Sequence, residues 1–560
     1  MKKKIPYGLS NYSKIQTEKY FFIDKTHFIE KLEERGDYLI FLRPKKFGKS
    51  VLLSMLEDYY DIALKKQFRK NFQNTYISHK YQKNKNSFYI LKFNFSEINI
   101  EDISKEFKYY LKLMLFHFID KYKLDIEIAD DFDNPLELLE KIIEYFSHNE
   151  KMNLFIMIDN YDSFANQFLF DLDNSYDEFL SKTLEIKEFV KLIRAGVTNT
   201  AIKKLFITGN TPIVLSDIVN NFHLLENISL EEDFNDLAGF REEDVKSILD
   251  FYEIPIEYLE TIKEWYGGYK FNENAQEIYH PNMVWYFVKH YLQHNTIPTE
   301  MLDMNSIIHY RKLKNLLFSK NSLNDNFEIL NKILAHSEIE IEKILEQFGA
   351  NQLWDGNKFI SLFFYLGFFA IKRKNLELVV GIPNEEMKIV LFNYMHEVLT
   401  EQNLLSIDSY KIDYHLKEFA KEGGVEIFRY ISNELKNSFL NDYEFSCHNL
   451  KALYLSSLGY SSLYLVKNPA ELAVDNFFDF VLKPFNQHIL YFGVVSIIHL
   501  PKNESITQNQ LNETIQDKFD KLELIRYDER IKKYIQEGKQ LVKVIMVFYG
   551  NDLVGLKWEK

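Results

Sequence analysis

The sequence predicts an α/β protein: a phosphate-loop parallel-sheet domain, a helical middle region and a small C-terminal α/β domain. Three observations carry that expectation. Short apolar runs alternate with longer amphipathic ones from Tyr38 to Gly209, "FLRPKKFGKS" (41–50) joins the first run to a helical segment, and apolar runs return near the C-terminus. Continuous apolar strands separated by helices indicate a parallel sheet covered on both faces.

The first strand is "YLIFL" (38–42), and "SVLLSMLEDYYDI" (50–62) follows as a helix. "SFYILKFNFS" (87–96), "LFIMID" (154–159) and "KLFITG" (204–209) supply three further strands, with helix-like segments between them. After about residue 230 the periodicity becomes mostly helical, as in "GFREEDVKSILDFY" (239–252), and stays so to about 430, with "SKNSLNDN" (319–326) marking a loop. From about 443 the expected order is helix, strands "FFDFVL" (477–482) and "ILYFGVVSIIHL" (489–500), helix, and strand "QLVKVIMVFYG" (540–550). The expected domains are 1–230, 231–430 and 431–560.

A chain of 560 residues exceeds one hydrophobic core, which predicts two to four domains. The 82 acidic residues outnumber the 68 Lys and Arg, a net −14, which argues against a chain coated in nucleic acid and leaves local basic patches open. The single cysteine, Cys447, excludes an intramolecular disulfide and a cysteine-rich zinc site and fits a reducing compartment. "MKKKIPYGLSNY" has no apolar stretch behind its basic end, and "FISLFFYLGFFAI" (359–371) is shorter than the roughly 20 residues a bilayer crossing takes. The expected location is cytoplasmic, with no membrane partner.

Backbone N–H groups of a strand-to-helix loop aim at an anion, and the helix N-terminus adds partial positive charge. In that context Gly48 permits close backbone approach, Lys49 reaches the β and γ phosphates, and the Ser50 hydroxyl ligates Mg²⁺. Arg43 and Pro44 stiffen the loop where a glycine normally stands. A basic strand-to-helix turn is the competing reading. "LFIMIDNYD" ends a strand in Asp159, the place of an acid that holds a Mg²⁺ shell beside phosphates. The next residue is Asn160, whose amide binds a water without accepting its proton, so hydrolysis is expected to be slow; Asp162 is the substitute carboxylate. Thr208, at the tip of "LFITG", stands where a γ-phosphate sensor would, and taken alone reads as structural.

Together, "IPYGLSNYSKI", "YFFIDKTHFIEKL", "FLRPKKFGKSVLLSMLEDYYD", "FIMIDNYDSF", "LFITGNTPIVLSD", "EWYGGYKFN", "IYHPNMV" and "GIPNEEM" resemble the AAA-ATPase-like proteins that carry a C-terminal PD-(D/E)XK nuclease-like domain. The family's own loop has the RPxxFGKS form, which makes Arg43 a family trait. The resemblance implies ATP and Mg²⁺ as cofactors, with Arg43, Phe47, Gly48, Lys49, Ser50 and Thr208 as the nucleotide-binding set. It implies Asp159 as the Walker B acid, which shares the metal with Ser50. Where the family reads Asp-Glu-Tyr-Asp, this chain has Asp159, Asn160, Tyr161 and Asp162, so the departure falls on the catalytic position. "DKT" (24–26) resembles the segment the family places before the first sheet strand, near the base; a helix cap by Asp24 or Thr26 is the alternative.

PD-(D/E)XK chemistry needs an Asp on one strand and an acid-x-Lys on the next. By the resemblance Asp479 is the strand aspartate, but Asn476 and Phe477 replace the family's Gly-Arg, and the next strand offers only Ser496 and His499. Glu471, upstream, and Lys483 and Lys502, which flank the strands, are the candidate substitutes, none of them at the expected position; His448 resembles a family histidine, although a lone histidine is more often structural. One carboxylate seldom holds a catalytic Mg²⁺, so this domain is expected to be nuclease-shaped, inactive, and able to keep a groove for nucleic acid or protein. The basic stretch 65–89, where Lys65, Lys66, Arg69, Lys70, Lys80, Lys83 and Lys85 interleave with aromatics, reads as a nucleic-acid surface or, more simply, as a solvated helix and loop. The leading expectation is an ATP-binding protein with slow or absent hydrolysis. Its rivals are an ATP-regulated metal-dependent nuclease and a non-catalytic scaffold.

Overall fold

The computed structural model describes residues 3–80, 83–99, 102–128, 133–149, 151–164, 183–213, 225–303, 316–319, 322–349, 352–374, 376–459, 461–469, 478–485, 488–502 and 507–560. The chain divides into two compact units, Met1–Ser306 with Lys343–Arg373, and Ile307–Glu342 with Lys374–Lys560.

In the first unit, β1 (Tyr38–Leu42), β2 (Phe88–Asn94), β3 (Asn153–Asp159), β4 (Ile202–Gly209) and β5 (Glu226–Asn227) form a wholly parallel sheet in the order β2-β3-β4-β1-β5. Four of these are the strands the apolar runs predict. Every residue of Leu154–Asp159 is buried, as a strand covered on both faces requires. The chain leaves the sheet at β1, crosses to the edge at β2, and returns through β3 and β4. That reversal opens a crevice at the C-terminal strand ends, where open α/β sheets bind ligands.

The helices of this unit begin with α1 (Tyr12–Thr17), α2 (Phe28–Arg35), α3 (Lys49–Tyr60), α4 (Phe68–Phe72), α5 (Ile103–Tyr122), α6 (Pro135–His148) and α7 (Leu184–Thr198). Asn134 caps α6 by accepting from the Leu136 amide, and Pro135 starts it where no donor is needed. One face of α6 buries Leu138, Leu139, Ile142 and Phe146, each worth about 1.5–3 kcal/mol on full burial. Next come α8 (Glu242–Tyr252), α9 (Tyr258–Tyr266) and α10 (Pro281–His294). The run at 359–371 resolves into a buried helix, Gly356–Leu366, and a strand from Ala370. Gly367 parts them at φ +89°, and a Cβ there would lie 2.8 Å from Pro44 Cγ, so the helix end sits directly on the loop after β1.

The second unit carries a five-stranded mixed sheet of β6 (Tyr464–Lys467), β7 (Phe480–Pro484), β8 (Tyr491–Leu500), β9 (Gln540–Tyr549) and β10 (Asp552–Glu559) in sequential order. Only β8 and β9 run parallel. Phe492, Val494, Leu522, Leu541 and Ile545 lie at its core. The stretch 300–430 is not wholly helical as expected: Glu338–Ile341 pairs antiparallel with Leu378–Gly381. β6 and β10 also escape the sequence reading. Among the described residues no helix is long and apolar enough to cross a membrane.

Candidate nucleotide site

The loop after β1 runs from Arg43 to Gly48, and α3 begins at Lys49. Gly48 lies at φ +107°, and with no atom within 4 Å of a would-be Cβ it is the backbone conformation alone that calls for glycine. Lys49 Nζ is buried and donates to the Arg43 carbonyl at 2.7 Å, the Pro44 carbonyl at 2.8 Å and Asn210 Oδ1 at 3.0 Å. Burial pulls its ammonium down to about 8, against the opposing pull of Asp159 and Asp162. Ser50 Oγ donates to Asp159 Oδ2 at 2.7 Å, and Thr208 Oγ1 donates to Asp159 Oδ1 at 2.6 Å. Three parts of the chain far apart in sequence thus meet at one carboxylate.

Asn160 follows at φ +53°, and its Nδ2 donates to Asn94 Oδ1 at 3.0 Å. Asp162 is fully buried and accepts from the Asn210 amide, the Thr211 amide and the Thr211 hydroxyl at 2.7–3.0 Å, which makes it a brace for the chain after β4.

Two residues of the expected phosphate-binding set turn their side chains elsewhere. The Arg43 guanidinium is wholly buried and donates to the carbonyls of Leu42, Ser229, Phe234 and Asn235, with the Phe271 ring 4.0 Å away. Phe47 packs edge-on against Tyr269 and His280, with ring centroids 4.9 Å from each. Both brace the loop from behind. His280, which the sequence reading passed over, does likewise. Burial pulls its ring down to about 4, so the neutral imidazole donates from Nε2 to the Lys45 carbonyl at 3.2 Å. Asn210 and His280 lie within the signatures "LFITGNTPIVLSD" and "IYHPNMV", where nothing in the motif singles them out, and Asn94 lies outside every signature; their contacts come from three-dimensional juxtaposition.

A cavity of about 620 Å³ adjoins Gly48, Lys49 and Ser50, and Tyr7, Leu9, Phe21 and Trp285 make its apolar wall. "DKT" lies nearby. Neither Asp24 nor Thr26 caps α2; Asp24 accepts from the Tyr76 amide and Thr26 from the Ile77 amide, while Lys25 lines the cavity and pairs with Asp236 and Asp244. In the basic stretch Phe68 and Phe72 stack on each other inside the fold while Lys65, Lys66, Arg69 and Lys70 face solvent, the pattern of a solvated helix.

In the second unit Asp479 Oδ2 accepts from the Ile497 amide at 2.7 Å and the Ser496 hydroxyl at 3.4 Å. Its Oδ1 lies 3.9 Å from the buried ammonium of Lys451, a residue sequence reasoning missed. His448 pairs with Glu328 at 3.1 Å. Lys483 lies on β7 opposite Leu465, and the Lys502 side chain covers Gly550. Among the described residues no three His, Cys, Asp or Glu side chains converge as metal ligands. Glu471, Asn476 and Phe477 lie outside the described residues.

Residues 6–219 match the AAA-ATPase-like family described as "Predicted AAA-ATPase". An uncharacterized protein in the vnfD 5′ region of Azotobacter chroococcum mcd 1 is 23% identical over 290 residues, which cover 50% of this chain and 51% of that protein. The chain thus spans about half the length of this curated relative.

Proposed function

We propose that the first unit binds Mg-ATP at Gly48–Ser50 and Asp159 and hydrolyses it slowly. The observation that carries this reading is the Ser50–Asp159–Thr208 chain of hydrogen bonds, set against a buried Lys49 at the start of α3. The AAA-ATPase-like match over the same segment supports it. The hydroxyl of Ser50 and the carboxylate of Asp159 are the hard oxygen donors that suit Mg²⁺ and would hold it. Bound there, the ion would neutralise charge on the phosphates. Lys49 exchanges its loop carbonyls for phosphate oxygens, and Thr208 orients Asp159. The apolar cavity takes the base. Asn160 positions a water but cannot take its proton, which makes turnover slow.

On this reading the ATP-binding domain covers about residues 1–230, a linking region of helices and short strands 231–430, and a PD-(D/E)XK-like domain 431–560. The last has no metal-dependent activity and serves as a binding domain for nucleic acid or protein, because Lys451 already neutralises Asp479. Magnesium dependence tests the nucleotide site. Added Mg²⁺ should tighten ATP binding to the wild type about tenfold or more and should leave Ser50→Ala little changed. An equal response in both proteins would remove Ser50 from the metal site.

A further inference from the structure

Asn160 cannot take a proton from the attacking water, and the end of β2 offers a carboxylate that can. β2 and β3 run parallel with Asn94 directly opposite Asp159, so the residues after Asn94 emerge at the same sheet edge as the phosphate site. They form a short turn, Phe95–Glu97, capped by Asn94, whose Oδ1 accepts from the Ser96 amide and hydroxyl. That same Oδ1 accepts from Asn160 Nδ2 at 3.0 Å, and Asn94 Nδ2 donates to Glu97 Oε1 at 3.0 Å. Asn94 therefore ties Glu97 to the residue that stands where the acid is missing. Ser96 and Asn160 line one cavity with Gly48, Lys49 and Ser50. The Tyr110 hydroxyl accepts from the Asn94 amide at 2.6 Å, and burial, with the negative charges of Glu97 and Asp159 adding to it, pushes the phenol's pKa up.

The neighbouring carboxylates are committed elsewhere. Asp159 is held by Ser50 and Thr208, and Asp162 by Asn210 and Thr211. Glu97 is exposed to solvent and accepts from the Asn94 side-chain amide, whose own orientation is held by Ser96 and Asn160.

We infer that Glu97 is the catalytic base of this site, accepting the proton of a water that Asn160 orients. The inference rests on the Mg-ATP reading above and deepens it. The water oxygen bonds to the γ-phosphorus while the bond from that phosphorus to the β,γ-bridging oxygen breaks, its electron pair leaving on ADP. The water's proton passes to the Glu97 carboxylate and from there to solvent. Turnover is slow because Glu97 stands two hydrogen bonds from Asn160 rather than on the strand end itself.

Phosphate release from Mg-ATP is the test, with Mg-ATP affinity measured by calorimetry on the same samples. Glu97→Gln should keep its affinity within about twofold and lower release about 100-fold, to the Lys49→Ala background. Adding Asn160→Glu to that variant should restore release, which a merely structural Glu97 would not allow. Release by Glu97→Gln at the wild-type rate would overturn the inference, as would a wild type that binds Mg-ATP and releases no phosphate. Absence of Mg-ATP binding by the wild type would overturn the parent reading as well, and the calorimetry separates that outcome from the other two.

Discussion

At the residue scale, Lys49 carries a built-in pH dependence. Burial depresses its pKa to about 8, whereas phosphate oxygens beside it favour the charged form. Below pH 8 the ammonium is already charged and affinity for Mg-ATP should be flat; above it, binding must take up a proton. Affinity should then weaken by about tenfold per pH unit. Calorimetric titrations across pH 8 check this, and a flat profile would show that Lys49 does not meet the phosphates. Gly48→Ala is a second prediction at this scale. The space around Gly48 is open, so the cost is conformational, about 1–2 kcal/mol of stability for a left-handed alanine, measurable by denaturant unfolding. The placing of Gly48, Lys49, Ser50 and Asp159 at strand and helix ends was legible in the sequence, because the apolar runs and the loop between them mark those ends. The direction of the Arg43 side chain was not, since a loop motif specifies residue types and leaves side-chain direction to the packing around it.

At the element scale, the loop between β1 and α3 is held from behind by Arg43, Phe47 and His280 rather than by glycine flexibility. Arg43 satisfies four carbonyls in the interior, so Arg43→Met should leave acceptors stranded and cost about 3 kcal/mol or more. Thermal unfolding measures it, and an unchanged melting temperature would contradict the bracing role. The long strands β1 to β4, β8 and β9 were readable from continuous apolar runs. The pairs at Glu338–Ile341 and Leu378–Gly381 were not. Each is four residues long, and "EIEI" places charged groups at every second position within a stretch of helical periodicity. β10 carries Asp, Lys and Glu on a partly exposed edge, so no apolar run announces it. Pairing across the chain, which a single sequence does not display, creates these strands.

At the scale of the whole molecule, one unit gathers Lys49, Ser50, Asp159 and Thr208 at one strand-to-helix loop while the other surrounds a strand aspartate with a lysine, an amide and a hydroxyl. Incubation with DNA or RNA and Mg²⁺ or Mn²⁺ should give no cleavage above that of Asp479→Ala; cutting that the variant loses would revive a nuclease. The sequence shows that β8 carries no acid-x-Lys, yet it could not show that Lys451 approaches Asp479 from a helix. Residues far apart in the first unit assemble the proposed Mg-ATP site. An equilibrium titration of Mg-ATP into the wild-type protein and into Lys49→Ala tests it most directly. Saturable binding that the variant loses is the predicted result, whereas no binding by either protein, or equal binding by both, would contradict it.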